Sequence, residues 1–302
     1  MAIKRLVGMG LLLAWAALLP AWALAGGTAK QDRGKAPTTK EAILLVAFGT
    51  SVPEATKAFD AIEARVRESF PGVEVRWAYT SKVVRDKLRK QGKMLDDPPV
   101  ALARMLDEHF THVVVASLHT IPGEEFHDLC RDVEALKRAS GSDTRRLVVS
   151  WPLLTSRARM ETVARGALEH IPQGRKAQDA VIFMGHGSER HPADSAYAAM
   201  NYWLSGIDPN VFVATVSGQP QLKDLIPGLK KKGIKKAYLM PLMLVAGDHA
   251  RNDMCGDDKE SWKSTLEAEG IQVECRLRGT GEMPEVVNVW LDNIRVAYNQ
   301  LK

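Results

Sequence analysis

From residue 41 onward the chain alternates unbroken apolar runs with amphipathic stretches. Ala42 to Phe48, Val73 to Tyr79, Val113 to Leu118 and Leu147 to Leu154 read as strands. Between them, Pro53 to Ser69, Pro99 to His109 and Glu124 to Ala139 carry apolar residues at helical spacing. The order then repeats. Ala180 to Met184, Val211 to Val216, Lys236 to Leu244 and Gln272 to Leu277 read as strands; Ser188 to Leu204, Gln221 to Lys232, Asp257 to Glu269 and Pro284 to Leu301 read as helices. Strands that are apolar throughout and separated by helices belong to a parallel sheet covered on both faces. The pattern predicts an α/β protein of two similar doubly wound domains, residues 41–170 and 171–302, each with a mainly parallel four-stranded sheet flanked by helices.

The two halves also match residue by residue. Val46-Ala47-Phe48-Gly49-Thr50-Ser51 is answered by Phe183-Met184-Gly185-His186-Gly187-Ser188, which sets Gly49 opposite His186 at an offset of 137 (186 minus 49). The stretch Val115 to Glu125 is answered by Leu239 to His249 at an offset of 124, which sets Glu125 opposite His249 and Leu147 opposite Ile271. The change of offset predicts about 13 extra residues in the first half, around Gly92 to Val100, where Asp96-Asp97-Pro98-Pro99 marks a loop. Ligands of open parallel sheets sit beyond the carboxyl ends of the strands. Gly49, Thr80, Glu125, His186, Ser217 and His249 all lie at such ends, so the cleft between the halves is the expected site.

Two imidazoles and a carboxylate there make the inventory of a metal site with a proton acceptor. His186, Glu125 and His249 are the candidate catalytic residues and the candidate ligands of a divalent ion. Glycines on both sides of His186 free the backbone and leave room for a bulky ligand; a turn histidine followed by a helix cap at Ser188 is the alternative. His119 is expected to orient a ligand. His127, in the first turn of a helix, is a surface residue or an axial ligand of a non-covalently bound haem b, with His119 the second choice for that role. There is no CxxCH for covalent haem, no GxSxG elbow and no P-loop, so covalent haem, serine hydrolysis and nucleotide use are not expected.

The N-terminus changes the expected location. Lys4 and Arg5 precede the apolar run Leu6 to Leu19, and Ala23-Leu24-Ala25 forms a small-x-small cleavage pattern. Residues 1–25 read as a secretory signal peptide and 26–40 as a flexible leader, which predicts a periplasmic protein. Pro20 and the short run argue against a membrane anchor. Without residues 1–25 the net charge falls from +5 to +3, and no Arg-rich tract suggests nucleic acid. Cys130, Cys255 and Cys275 form no CxxC; they read as buried small hydrophobes, although an exported protein permits one bridge.

Four spaced motifs carry a family resemblance: FGTS at 48–51, SLHTIPGEEF at 117–126, MGHGS at 184–188 and PLMLVAGDHARNDM at 241–254. Over residues 40 to 302 the chain resembles the anaerobic sirohydrochlorin cobaltochelatases of CbiK type, in the class II chelatase family, and more distantly protoporphyrin ferrochelatase. The resemblance implies a chelatase-like fold and ATP-independent insertion of Co2+ into sirohydrochlorin, with Fe2+ insertion as a side activity. It matches His186 and His249 to the active-site histidines and Glu125 to the metal-binding acid, and it implies a homo-oligomer. Lys82, Arg85 and Arg251 are candidates to meet the substrate's carboxylates at the rim. An exported haem- or metal-binding protein built on the same fold is the alternative, motivated by the signal peptide with His127 and His119.

Overall fold

The computed structural model describes residues 39–141 and 145–302, so the signal peptide and residues 26–38 of the leader lie outside the described residues. Eight strands form two sheets, all parallel: β1 (Glu41–Ala47), β2 (Glu74–Tyr79), β3 (His112–Ser117) and β4 (Arg146–Val149) in the order β2-β1-β3-β4, then β5 (Ala180–Gly185), β6 (Val211–Thr215), β7 (Lys236–Pro241) and β8 (Gln272–Cys275) in the order β6-β5-β7-β8. The central strands β1 and β5 are buried along nearly their whole length, as their continuous apolar sequence requires. The helices are α1 (Lys57–Ser69), α2 (Lys82–Lys90), α3 (Pro98–Asp107), α4 (Glu124–Ala139), α5 (Arg157–Leu168), α6 (Ser195–Ile207), α7 (Leu222–Lys231), α8 (Trp262–Ala268) and α9 (Pro284–Asn299). Among the described residues no helix is long and apolar enough to cross a membrane.

Several elements differ from their sequence reading, each for a local reason. The edge strands β4 and β8 end at Val149 and Cys275, where their pairing stops at Val115 of β3 and Leu239 of β7. Pro192 interrupts the run from Ser188, so a short 3-10 turn at Pro192–Asp194 precedes α6. The helix expected from Asp257 starts at Trp262, where the Ser261 hydroxyl accepts from the Ser264 N–H at 3.1 Å. Helices α2 and α5 were not read from the sequence; both begin behind serine caps, Ser81 and Ser156.

Strand pairing corrects the register of the internal repeat. Ala47 pairs with Tyr79 as Gly185 pairs with Thr215, and Val46 pairs with Ser117 as Met184 pairs with Pro241. Ala47 is therefore the counterpart of Gly185, an offset of 138 (185 minus 47), so Phe48 answers His186 and Gly49 answers Gly187. Backbone bonds repeat this: the Ser81 N–H donates to the Phe48 carbonyl at 3.1 Å and the Ser217 N–H to that of His186 at 2.9 Å. The offset of 124 holds for β3 and β7, but the pairs His112 with Arg146 and Lys236 with Gln272 make it 126 at the last strand, setting Leu147 opposite Val273. Two helices, α2 and α3, lie between β2 and β3, where α7 alone lies between β6 and β7. Helix α3 covers the outer face of the first sheet as α7 covers that of the second, so α2 is the addition, just before the loop expected to hold it.

The halves do not keep separate interiors. The largest core unites inward residues of both sheets, Ile43, Leu45, Val114, Val181, Phe183 and Met240 among them, with α1, α5, α6 and α9. Helix α9, from the end of the chain, packs on β3 and β4 of the first sheet and on α5, while α5 packs on α6 of the second half. Asn293 in α9, 1% exposed, donates to the carbonyls of Trp151 and Pro152, both at 2.9 Å. The expectation that the cysteines are merely small hydrophobes fails for two of them. Cys255 and Cys275 form a disulfide with Cα atoms 6.1 Å apart, leaving Cys130, whose thiol burial pushes upward.

Arg175 ties the approach to β5 to the end of α6, bonding the Asp208 carboxylate at 2.5 and 3.2 Å. The guanidinium holds the Asp208 carboxyl below its usual range. A carboxyl lowered on folding adds stability above its unfolded value near pH 4 and loses it as pH falls. Asp208→Asn should therefore cost about 1–2 kcal/mol at pH 7 and converge with wild type as pH drops below about 4, in denaturant titrations at a series of pH values.

Candidate active site

The carboxyl ends of both sheets open into one cleft of about 700 Å³, within the roughly 300–1,000 Å³ typical of small-molecule and cofactor sites. Phe48, Gly49, His119, Glu125, His186 and His249 all line it, together with Val83 and Val84 of the added helix α2. Its polar groups are therefore carried by strand ends and helix starts rather than by long loops.

Strand β5 delivers His186 into this space through a turn that only glycine permits. Gly187 has φ +84°, and a side-chain carbon at Gly185 would lie 2.4 Å from the ring of Tyr197, which is 1% exposed. The first half repeats the device: Gly49 has φ +97°, and a side chain there would meet Tyr79 at 2.5 Å. In each half a tyrosine packs beneath the turn, with its hydroxyl pushed upward by burial. The residues that answer each other, Phe48 and His186, face across the cleft with ring centroids 6.4 Å apart.

His249 arrives from the segment that follows β7, one residue before a π-helical turn at Ala250–Met254. Its ring lies edge-on to that of His186, with centroids 4.9 Å apart. Two imidazoles on adjacent positions of one ion, with bonds of 2.0–2.1 Å, place their centroids roughly 4.5–5.3 Å apart. The observed separation fits that arrangement. The Nδ1 atom of each ring is engaged, that of His186 with the Gly187 carbonyl at 2.9 Å and that of His249 with the Asp253 carboxylate at 2.5 Å. Those acceptors assign the proton to Nδ1 in both rings and leave both Nε2 lone pairs for the cleft. Asp253 lies four residues after His249, and this i, i+4 spacing brings its carboxylate onto the ring.

Glu125 stands with a different group. It occupies the first turn of α4, where the positive end of the helix favours an anion. Its Oε2 lies 3.4 Å from the Thr80 hydroxyl and 3.4 Å from Nε2 of His119, the latter an ion-pair distance without hydrogen-bond alignment. His119 Nδ1 in turn meets the Ser117 hydroxyl at 2.8 Å. The structure thus brings His186 to His249 and Glu125 to His119 on the walls of one cleft. Among the described residues no three metal-ligating side chains converge.

Other candidates fall elsewhere. His127 is exposed on α4 and outside the cleft lining, its ring 5.0 Å from that of His191. The rim cations expected from the sequence are replaced. Lys82 pairs with Asp86 at 2.6 Å, Arg85 is held by the carbonyls of Tyr79 and Thr80, and Arg251 faces Glu54 at 3.7 Å; none of the three lines the cleft. Lys87 of α2 and Arg190 beyond β5 do line it, and neither forms an ion pair among the described residues. Sequence reading passed over Lys87 because α2 itself was not recognised.

Solved structures with this arrangement define the fold class as chelatase-like. The chain is similar to SirB from Bacillus subtilis with Fe3+, at TM-score 0.57 and 18% identity, covering 87% of this chain and 97% of that one. It is similar also to CbiX, the terminal enzyme for biosynthesis of siroheme in denitrifying bacteria, at TM-score 0.51 and 18% identity, covering 85% and 99%. The family model for cobalt chelatase (CbiK) matches residues 41–299, and the chain belongs to that family. It is 45% identical over 265 residues to the sirohydrochlorin cobaltochelatase CbiKC of Nitratidesulfovibrio vulgaris, covering 88% of this chain and 93% of that protein. It is 34% identical over 262 residues to the sirohydrochlorin cobaltochelatase of Salmonella typhimurium, covering 86% and 97%.

The glycine turn is open to a direct check. Gly185→Ala should force Tyr197 aside and lower stability by about 1–3 kcal/mol, read from the denaturation midpoint. Gly206→Ala, in an open part of α6, should not reduce stability, because nothing lies within 4 Å of the added carbon and alanine favours the helix.

Proposed function

We propose that this chain inserts Co2+ into sirohydrochlorin without ATP, and that Fe2+ insertion is a side activity of the same site. The observation that carries this reading is the pair of imidazoles, His186 and His249, 4.9 Å apart in the cleft with both Nδ1 atoms occupied. The relatives' printed activities support the metal and the tetrapyrrole.

The reaction exchanges one divalent cation for two protons, so charge balances when two pyrrole N–H groups are deprotonated. Two imidazoles with free Nε2 atoms match that count, and imidazole accepts protons near neutral pH. Asp253 holds the His249 ring and stabilises the charge it gains on taking a proton. Glu125 attracts the ion and replaces part of its water shell, with the Thr80 hydroxyl donating to the carboxylate and His119 beside it. The apolar wall of Phe48, Val83, Leu118 and Ile121 accepts the face of the macrocycle, and Lys87 and Arg190 are placed to meet its carboxylates.

Purified protein given sirohydrochlorin and Co2+ should develop the visible spectrum of the metallated product. His186→Ala His249→Ala should lose at least about a hundredfold in kcat. A double variant as fast as wild type would overturn the reading. Glu125→Gln should raise the half-saturating Co2+ concentration more than it lowers kcat.

Export and self-association belong to the same proposal. A periplasmic location is supported by the N-terminal pattern and by the Cys255–Cys275 bond, since disulfides persist where thiols are oxidised. A second reading, non-covalent haem on His127, is supported by the exposure of that ring outside the cleft. A Soret band lost in His127→Ala but kept in the His186→Ala His249→Ala protein would support it, and no haem uptake by wild type would remove it.

A further inference from the structure

Glu125 and His249 occupy matched places but are held by different means. Glu125 rides on a 16-residue helix anchored by buried Phe126, Leu129 and Val133. His249 stands at the start of a single five-residue π-helical turn, a rare form that does not extend into a long helix here. Something else must hold it in place.

That support comes from one short segment, from the last residue of β8 to Gly281, which fastens the His249 loop at both ends. Upstream of the histidine, the Thr280 N–H donates to the Met243 carbonyl at 2.8 Å and the Gly281 N–H to the Leu244 carbonyl at 2.9 Å. These bonds are close-packed, because a side-chain carbon at Gly279 would meet the Leu244 carbonyl at 2.5 Å. Downstream, Cys255 closes the turn and is bonded to Cys275 at the end of β8. Between the two fastenings only Ala246, Ala250 and Met254 are buried. With the disulfide cut, the turn after His249 would be held by buried Ala250 and Met254 and by the contact of Arg251 with Glu54 at 3.7 Å. Both cysteines are half-buried and pack against the core of the second half.

We propose that the Cys255–Cys275 bond is a redox latch that positions His249: the site is assembled when the bond is closed and loosened when it is open. Closing it removes two electrons and two protons from the thiols, delivered to a disulfide oxidant such as oxidised glutathione, which leaves as two thiols. A small dithiol reverses the exchange and is itself oxidised to a cyclic disulfide. Cys255 and Cys275 are positioning residues acting through His249 and Asp253, and the inference rests on the catalytic reading of His249. It predicts that the chain is a weak chelatase wherever its thiols stay reduced.

The test uses the full oxidised protein, then the same protein reduced with dithiothreitol and desalted without air, beside Cys255→Ser Cys275→Ser and the control Cys130→Ser. Reduction and the double substitution should each lower kcat at least about tenfold, the scale expected when a reacting group is slightly misplaced. KM for sirohydrochlorin should change less than twofold, since the rest of the cleft is untouched. Oxidised glutathione should restore kcat to the reduced wild type and not to the double variant, and Cys130→Ser should behave as wild type. Hydrogen exchange read in parallel should quicken in residues 247–256 alone on reduction. Unchanged kcat together with unchanged exchange there would overturn the latch, as would unfolding of the whole chain on reduction. Local loosening in a protein no more active than His186→Ala His249→Ala would uphold the tether and reject the chelatase reading instead.

Discussion

The cleft exists because the last helix of the chain is built into the first sheet. Trp290 of α9 is 1% exposed and points its indole N–H at the carbonyl of His119, 3.4 Å away, directly behind the cleft wall that carries Glu125. Tyr298, the next-to-last residue of the same helix, donates to the Glu41 carboxylate at the start of β1, and burial with that carboxylate pushes its hydroxyl up to about 12. Burial of so large an apolar helix face outweighs any single polar contact, at roughly 25 cal/mol per Å² removed from water. Because α9 follows β8 but packs on β3 and β4, the two sheets cannot separate without exposing it. The distance between His186 on one sheet and Glu125 beside the other is thus set by a shared core rather than by a hinge.

Within that frame, duplication supplies the turn and substitution supplies the chemistry. Both central strands run into a turn with a positive-φ glycine, Gly49 or Gly187, and a buried tyrosine packs beneath each turn, against Gly49 itself in the first half and against Gly185 in the second. At the residue before that glycine one copy has Phe48 and the other His186, an apolar wall facing an imidazole. The first copy thereby presents an apolar ring to the cleft and the second a nitrogen base. The added helix α2 extends the same division, since it brings Val83, Val84 and Lys87 to the cleft and no proton acceptor.

Much of this was legible in the sequence because parallel strands buried on both faces leave unbroken apolar runs, and because GHGS and GDH end such runs in both sequence and space. The register was misread by one residue at Gly49, since apolar continuity does not mark where pairing stops; only the bonds to the carbonyls of Phe48 and His186 fix it. Helix α2 escaped because its apolar residues are few: Val84 and Leu88 face the core while four basic side chains and Asp86 face water. The placement of α9 across the boundary between the halves is a tertiary fact with no local signal. The disulfide joins positions 20 apart in sequence and leaves no spacing motif to read.

The unlike supports of Glu125 and His249 suit their unlike charges. A carboxylate that is to attract a cation gains from the first turn of a long helix, where unpaired N–H groups and the helix dipole favour negative charge. An imidazole that is to take up a proton would be opposed by that same field. The second half gives His249 only one π-helical turn, with little aligned dipole behind it, and sets the Asp253 carboxylate against its ring instead. Shortening the helix removes the unfavourable field but also the mechanical support that fifteen further helical residues give Glu125. A covalent fastening at Cys255 restores that support without restoring the dipole, which is why a cross-link stands at this turn and none stands at its counterpart in the first half.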